Sequence, residues 1–329
     1  MRRPGSVRWF LVALLVLTAG AFLASVLIGP AQTSPADLWK LLFHGDQTHA
    51  AIFLDLRLSR AVLAFLVGAS LALSGAILQG YFRNPMADPF VVGVSSGASL
   101  GAVLSITLGL ETLVLGFPVQ ALAAFASGLI IVSGVYVLSL RGGIFKIETL
   151  LLTGIAAGAL ASSLTSFFLF LRSDSFDQAV FWLLGSFQLA GWREVRVVGP
   201  YFLAGLALSV WLAKDMNLLV LGDETAQALG CPTGRIRKVF LAVATFLAAL
   251  SVSVSGIIGF VGLVVPHWIR LLIGPDHRRL FPLAALAGGT FLVISDLLAR
   301  TLLPAELPIG VVTAAVGAPV FLYLLHRKR

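Results

Sequence analysis

Charge is scarce in this sequence. Only 12% of its residues are Asp, Glu, Lys or Arg and 58% are hydrophobic, whereas about a quarter of a soluble domain is charged. A water-soluble enzyme with a large core is excluded. Cysteine is nearly absent too: a single Cys231 rules out an intrachain disulfide and any thiolate metal cluster. The histidines never fall in His-x-x-x-His or His-Glu-x-x-His spacing, and Gly-Lys-Ser/Thr occurs nowhere. Neither a helical zinc site nor a Walker A phosphate loop is encoded. The expectation is a chain with no catalytic residue, no metal ligand and no bound cofactor of its own.

What the sequence has in abundance is unbroken apolar length. Runs without a charge cover 9–28, 61–82, 89–110, 112–140, 149–171, 197–213 and 239–269, with 280–299 interrupted by Asp296 alone, and then 307–325. About 20 residues at 1.5 Å each cross a hydrocarbon core of about 30 Å, so each run is long enough to span. Barrel strands would alternate apolar and polar; these runs do not. The chain is therefore expected to be an all-α, multi-pass membrane protein. The apolar piece 178–192, with two glycines, reads as a re-entrant or interfacial helix. Arg2, Arg3 and Arg8 before the first run, and the small-x-small Ala19-Gly20-Ala21, imitate a signal peptide. The run is too long for that and is taken as the first span.

Segment 239–269 decides the count. As one helix its 31 residues would reach about 46 Å, and Gly256, Gly259, Gly262 and Pro266 allow a break. Two helices give ten spans and place 16 of the 23 Lys and Arg on the side of the termini. Seven remain opposite: Lys40, Arg57, Arg60, Arg172, Arg193, Arg196 and Arg300. One helix gives 11 against 12. The positive-inside rule selects ten helices with both termini cytoplasmic, so the net charge of +8 records topology and does not point to nucleic acid. The small-residue ladders Gly93/Gly97/Gly101 and Gly154/Gly158 fit close helix packing. Residues 73–77 and 254–258 echo each other faintly, as in an inverted repeat.

Ionisable groups at membrane depth are few: Glu148 at a helix start, His267 after Pro266, and Asp296, four residues before Arg300 and able to pair with it. So sparse a set argues against a proton or sodium relay, and hence for energy supplied from outside. The stretch 214–238, the longest cytoplasmic connection, is where a motor would act. Within it Asp223 and Glu224 favour a helix start, Gly230 a stop, and Leu221, Ala226 and Leu229 an apolar surface for a partner or for the chain's own bundle.

These residues lie in a longer pattern. Arg57-Leu-Ser-Arg60, Gly75-Ala-Ile-Leu-Gln-Gly80, Arg83-Asn-Pro-Met-Ala-Asp-Pro89, Gly93-Val-Ser-Ser-Gly-Ala98 and Trp182-Leu-Leu-Gly-Ser186 open it. Leu221-Gly-Asp-Glu-Thr-Ala-Gln-Ala-Leu-Gly230, Gly259-Phe-Val-Gly-Leu-Val-Val-Pro-His267, Gly274-Pro-Asp-His-Arg-Arg279, Asp296-Leu-Leu-Ala-Arg300, Pro308-Ile-Gly-Val-Val-Thr313 and Gly317-Ala-Pro319 complete it. The set resembles the permeases of ATP-binding-cassette importers for ferric siderophores, haem and vitamin B12. That resemblance implies a BtuC-like fold filling 1–329 as one permease domain in the bacterial cytoplasmic (inner) membrane. It also implies a second permease subunit, in most cases an identical copy, two cytoplasmic ATPase subunits that hold ATP and Mg, and a periplasmic or lipid-anchored substrate-binding protein. Leu221, Gly222, Asp223, Glu224, Ala226, Leu229 and Gly230 match the family's ATPase-coupling helices. Arg57, Arg60 and Arg300 match its binding-protein docking arginines, and Asn84 and Met86 lie near its cytoplasmic gate. The expected cargo is an iron chelate, siderophore or haem, with vitamin B12 as the alternative; the competing class is an ion-coupled secondary transporter.

Overall fold

The computed structural model describes residues 4–29, 51–110, 112–114, 116–141, 144–145, 147–171 and 176–327. Arg2, Arg3, Lys40, Lys146, Arg172, Lys328 and Arg329, which enter the charge count, lie outside the described residues. In lipid every backbone polar group must be satisfied internally, and the apolar runs do this as helices. They are α1 (Pro4–Leu27), α2 (Ser59–Tyr81), α3 (Val94–Thr107), α4 (Val119–Ser139), α5 (Ile147–Leu171), α6 (Phe176–Leu183), α7 (Trp192–Trp211), α8 (Ala213–Val220), α9 (Asp223–Ala228), α10 (Thr233–Ser255), α11 (Val261–Ile273), α12 (His277–Thr301) and α13 (Ile309–Arg327). A π-helical segment, Ala51–Leu58, leads into α2, and a 3-10 turn, Pro89–Val92, leads into α3. Short hairpins, Leu113–Val114 with Phe117–Pro118 and Leu140–Arg141 with Ile144–Phe145, bracket α4.

Among the described residues, six helical segments are long and apolar enough to cross a membrane, the bent pair α7–α8 makes a seventh if it is one span, and α3, α11 and α13 are shorter apolar helices. Together they number ten, in keeping with the ten helices that the charge distribution favours. α2 is the hub: most of it is buried, while α1, α4 and α5 bury little of their surface within the chain. It packs on α12, α10, α11 and α7. Glycine permits two of these crossings. A Cβ on Gly68 would lie 2.3 Å from Gly288 O of α12, and one on Gly75 would lie 1.8 Å from Gly262 O of α11. The ladder Gly97/Gly101 meets Ser127 and Ala123 of α4, and Gly154 of α5 meets Val91. Those ladders therefore pack inside the bundle.

Three boundaries differ from expectation. The stretch 214–238 is mostly helical: α7 turns through 57° into α8, then α9 follows, and α10 already begins at Thr233. The 178–192 piece is helical only to Leu183 and starts earlier, at Phe176, because Gly185 takes a left-handed φ of 75°. The charge-free run 89–110 yields a helix of only 14 residues, because Gly93 at φ 94° ends the 3-10 turn before α3 begins. The break in 239–269 falls where the glycines allow it. α10 ends at Gly256 (φ 68°), and α11 starts after Phe260, itself left-handed at φ 69°. Phe260 is a strained choice there; Gly317 of α13 makes room, since a Cβ on it would sit 2.5 Å from that of Phe260.

The peptide groups freed by these breaks satisfy one another. Ser186 N donates to Ser255 O at 2.8 Å, Ile309 N to Gly185 O at 3.0 Å and Gly310 N to Leu184 O at 3.0 Å. Irregular backbone within a bilayer is tolerated only when enclosed in this way.

Candidate functional site

Two groups of sequence-singled residues gather at opposite ends of the bundle. At one end, α8 and α9 form a small helical platform. Gly222, at φ 114°, turns the chain between them, a conformation that side chains with a Cβ resist. Gly230 (φ 81°) ends α9 with Cys231 N on Ala226 O and Gly230 N on Gln227 O, both at 2.9 Å, the paired bonds of a Schellman stop. Of the three residues singled out as an apolar surface, two are exposed. Leu221 is 62% exposed and Leu229 60%, while Ala226 is fully buried in the bundle. Glu224 and Thr225 lie on the open side with them, and Asp223 is half exposed.

The platform is tied to the helices beneath it. Asn217 of α8 donates to Asp276 Oδ1 at 2.7 Å and accepts from His277 N at 3.0 Å, which fixes α8 to the start of α12. Burial alone would raise the Asp276 carboxyl. The Asn217 and Arg278 N hydrogen bonds, with the charges of Arg278 and Arg279, outweigh it and hold the group below its ordinary range. Gln227 Nε2 donates to Thr233 Oγ1 at 2.9 Å, and Asp223 pairs with Arg237 of α10.

Beside the platform, α2 ends in a second Schellman pattern. Asn84 N bonds Gln79 O at 3.1 Å and Arg83 N bonds Gly80 O at 3.2 Å, with Arg83 left-handed at φ 51°. Asn84 Oδ1 then accepts from Met86 N at 2.9 Å. Asn84 is thus the exposed turn residue, and Met86 follows it half-buried. Asp88 caps the 3-10 turn by accepting from Phe90 N at 2.8 Å. Loss of water pushes its carboxyl up to about 6 despite that bond.

At the other end the three arginines converge on the last turn of α1 and on α12. Arg57 donates from one nitrogen to Val26 O at 2.9 Å and Leu27 O at 3.0 Å, and its guanidinium lies 5.3 Å from the Phe53 ring centroid. Arg300, with a side chain 3% exposed, bonds Ser25 O and Ser25 Oγ, each at 2.6 Å, and lies 3.6 Å from Asp296. Arg60 forks onto the fully buried Asp296 at 2.7 Å and also pairs with Glu306. The carbonyl end of α1 carries partial negative charge, which favours cations there. Among the described residues the cluster brings together three guanidinium groups and two carboxyl groups. Asp296 does pair with Arg300, but its closer partner is Arg60, 236 residues away, and Glu306 had given no signal in the sequence.

A third feature was not legible at all. A cavity of about 330 Å³ lies at the α6 end, lined by Phe181 and Trp182 of α6, Phe117, Gln120, Gln178, Gln188, Glu194 and the end of α10. Its walls come from three regions of the chain, 106–121, 178–194 and 253–256, so no single local pattern reports it.

Comparison with known proteins gives this arrangement relatives. The model of the FecCD transport family matches residues 14–327. The chain is 47% identical over 288 residues to the cobalamin import system permease protein BtuC of Halobacterium salinarum, covering 88% of this chain and 77% of the relative. It is 40% identical to the hemin transport system permease protein HmuU of Yersinia pestis, covering 99% and 97%. A solved inward-facing ABC transporter, assigned to the metal-chelate type, superposes with a TM-score of 0.86 at 32% identity, over 97% of this chain and 99% of its own.

Proposed function

We propose, from the premise that this chain belongs to the FecCD transport family, that it is the permease through which an ATP-driven importer passes a preformed metal chelate across the cytoplasmic membrane. A multi-pass transport subunit follows from the family; the partners, the orientation and the cargo are the proposal. The observation that carries it is the platform: two leucines turned outward on either side of the short helix α9, in a platform fastened to the transmembrane helices α10 and α12 behind it. An apolar pair so displayed gains by entering a partner's groove.

In this reading 1–329 is a single permease domain with cytoplasmic termini. Leu221 to Gly230 seat in a partner ATPase, which alone holds ATP and Mg, and a second copy of the permease completes the pathway. A binding protein docks at the arginine end. There Arg60, the most exposed of the three guanidinium groups, would meet an incoming carboxylate, while Arg57 and Arg300 hold the end of α1 in place. Asn84 and Met86 lie beside the cytoplasmic exit. The chain itself performs no chemistry: ATP binding on the partners favours one of two conformations, and a wide, weakly binding path lets the chelate leave.

The cargo class is a metal already wrapped in an organic ligand. An iron chelate is supported by relatives named for hemin and for iron citrate. A corrinoid is supported by the 47% identical relative named for cobalamin. Proteoliposomes holding the permease, its ATPase and its binding protein test both arms, with uptake of cobalamin, haem and ferric siderophores compared with and without ATP. ATP-dependent uptake of one of them is expected. Uptake by the permease alone under an ion gradient would refute the importer reading in favour of a secondary transporter.

A further inference from the structure

We infer that Arg237, which lies beyond the coupling residues Leu221 to Gly230, is the positioning residue that carries movement of α9 into the hub helix α2. This rests on the importer reading above. An arginine is rarely placed where Arg237 is: its side chain is 7% exposed, and withdrawing a guanidinium from water costs several kcal/mol unless its partners are well placed. Those partners belong to two other elements. One nitrogen donates to Asp223, the first residue of α9, and the other donates to Tyr81 O at 3.2 Å, the last carbonyl of α2. The guanidinium also lies 5.1 Å from the centroid of the Tyr81 ring, within cation–π range.

Three helices therefore meet on one planar group. The start of α9, the end of α2 and the first turns of α10 cannot shift relative to one another without breaking a charge-assisted bond or sliding the guanidinium off the ring. The other polar bond from α9, Gln227 to Thr233, reaches α10 but not α2. Gly222 and Gly230, both with positive φ, flank α9 and are the places where the chain absorbs rotation of that helix. A push on α9 from an ATPase thus enters α2 at Tyr81, and α2 touches α7, α10, α11 and α12. The Arg237 Nε is buried with no hydrogen-bond partner, a polar atom left unmade; a residue selected for stability alone would not need that.

The test is the number of chelate molecules imported per ATP hydrolysed, measured in one preparation of the reconstituted complex with its ATPase and binding protein. Arg237→Gln should lower this ratio at least tenfold while the purified complex still contains the ATPase. Arg237→Lys should fall between, because it keeps the charge toward Asp223 and loses both the fork to Tyr81 O and the ring stacking. If Arg237→Gln does not assemble, Arg237→Lys carries the test alone. An unchanged ratio in the variants that assemble overturns the assignment, including the case where hydrolysis and uptake fall together. Absence of ATP-dependent uptake in the wild-type complex strikes the importer reading instead.

Discussion

The crossing of α2 and α11 makes a sharp demand on one atom. A Cβ on Gly75 would stand 1.8 Å from Gly262 O, and real Cβ atoms essentially never approach another heavy atom closer than 3.0 Å. Gly75→Ala must therefore drive the two helices apart by more than 1 Å where they touch, and Gly262 cannot yield because the obstacle is its backbone. A gap of about that size forfeits a quarter to a half of each dispersion contact along the seam, and overpacking of this kind costs about 1–3 kcal/mol. At about 2 °C per kcal/mol for a chain of this size, the thermal midpoint of the detergent-purified permease should drop by roughly 2–6 °C. Gly134→Ala on α4, where nothing lies within 4 Å of the added carbon, is the control and should not lower the midpoint. If Gly75→Ala melts within a degree of wild type, the close crossing does not exist as described.

Other perturbations have directions set by the same structure. The Asp88 carboxyl is raised to about 6 by loss of water, so the fold prefers its protonated form. Its contribution is full below the ordinary carboxylate range near 4 and is lost as pH rises through 6. Asp88→Asn keeps the oxygen that accepts from Phe90 N, and should raise the midpoint at pH 8 and flatten its fall between pH 4 and 7; identical profiles would refute the assigned environment. Asp296→Asn leaves Arg60 and Arg300 facing each other with less counter-charge. It should cost about 3–5 kcal/mol, seen as a larger loss of thermal midpoint than Glu306→Gln, whose side chain is 23% exposed. Leu221→Asp with Leu229→Asp should abolish co-purification with the ATPase and leave the midpoint of the isolated permease unchanged, since both leucines already face away from the bundle.

Where a signal was local, the sequence carried it. The expectation of ten helices followed from apolar length and the placement of basic residues, and the α10–α11 break from Gly256 within a segment too long to be one helix. The stop after α9 followed from Gly230. What escaped depended on contacts between distant residues. The helix α8 is hidden because Lys214 and Asp215 read as the start of a connection, and its tie to α12 joins Asn217 to Asp276, 59 residues on. Arg60 could be marked as out of place by its charge, but its pairing with Asp296 and Glu306 joins positions more than 200 apart. Arg237 looked like one of several basic residues on the inner side, and only burial against Tyr81 and Asp223 distinguishes it.

The exchange of backbone bonds among α6, α10 and α13 bears on how the chain is made. Ribosomes deliver α6 and the α10 break to the bilayer well before residue 309 exists, so for that interval Leu184 O and Gly185 O lack the two donors, Gly310 N and Ile309 N, that satisfy them in the finished protein. Each such group is costly in hydrocarbon. Synthesis must therefore hold these segments near water, or in the insertion machinery, until the last crossing arrives. A chain stopped after α12 would lack the keystone of that part of the bundle and would be expected to be cleared as unfinished.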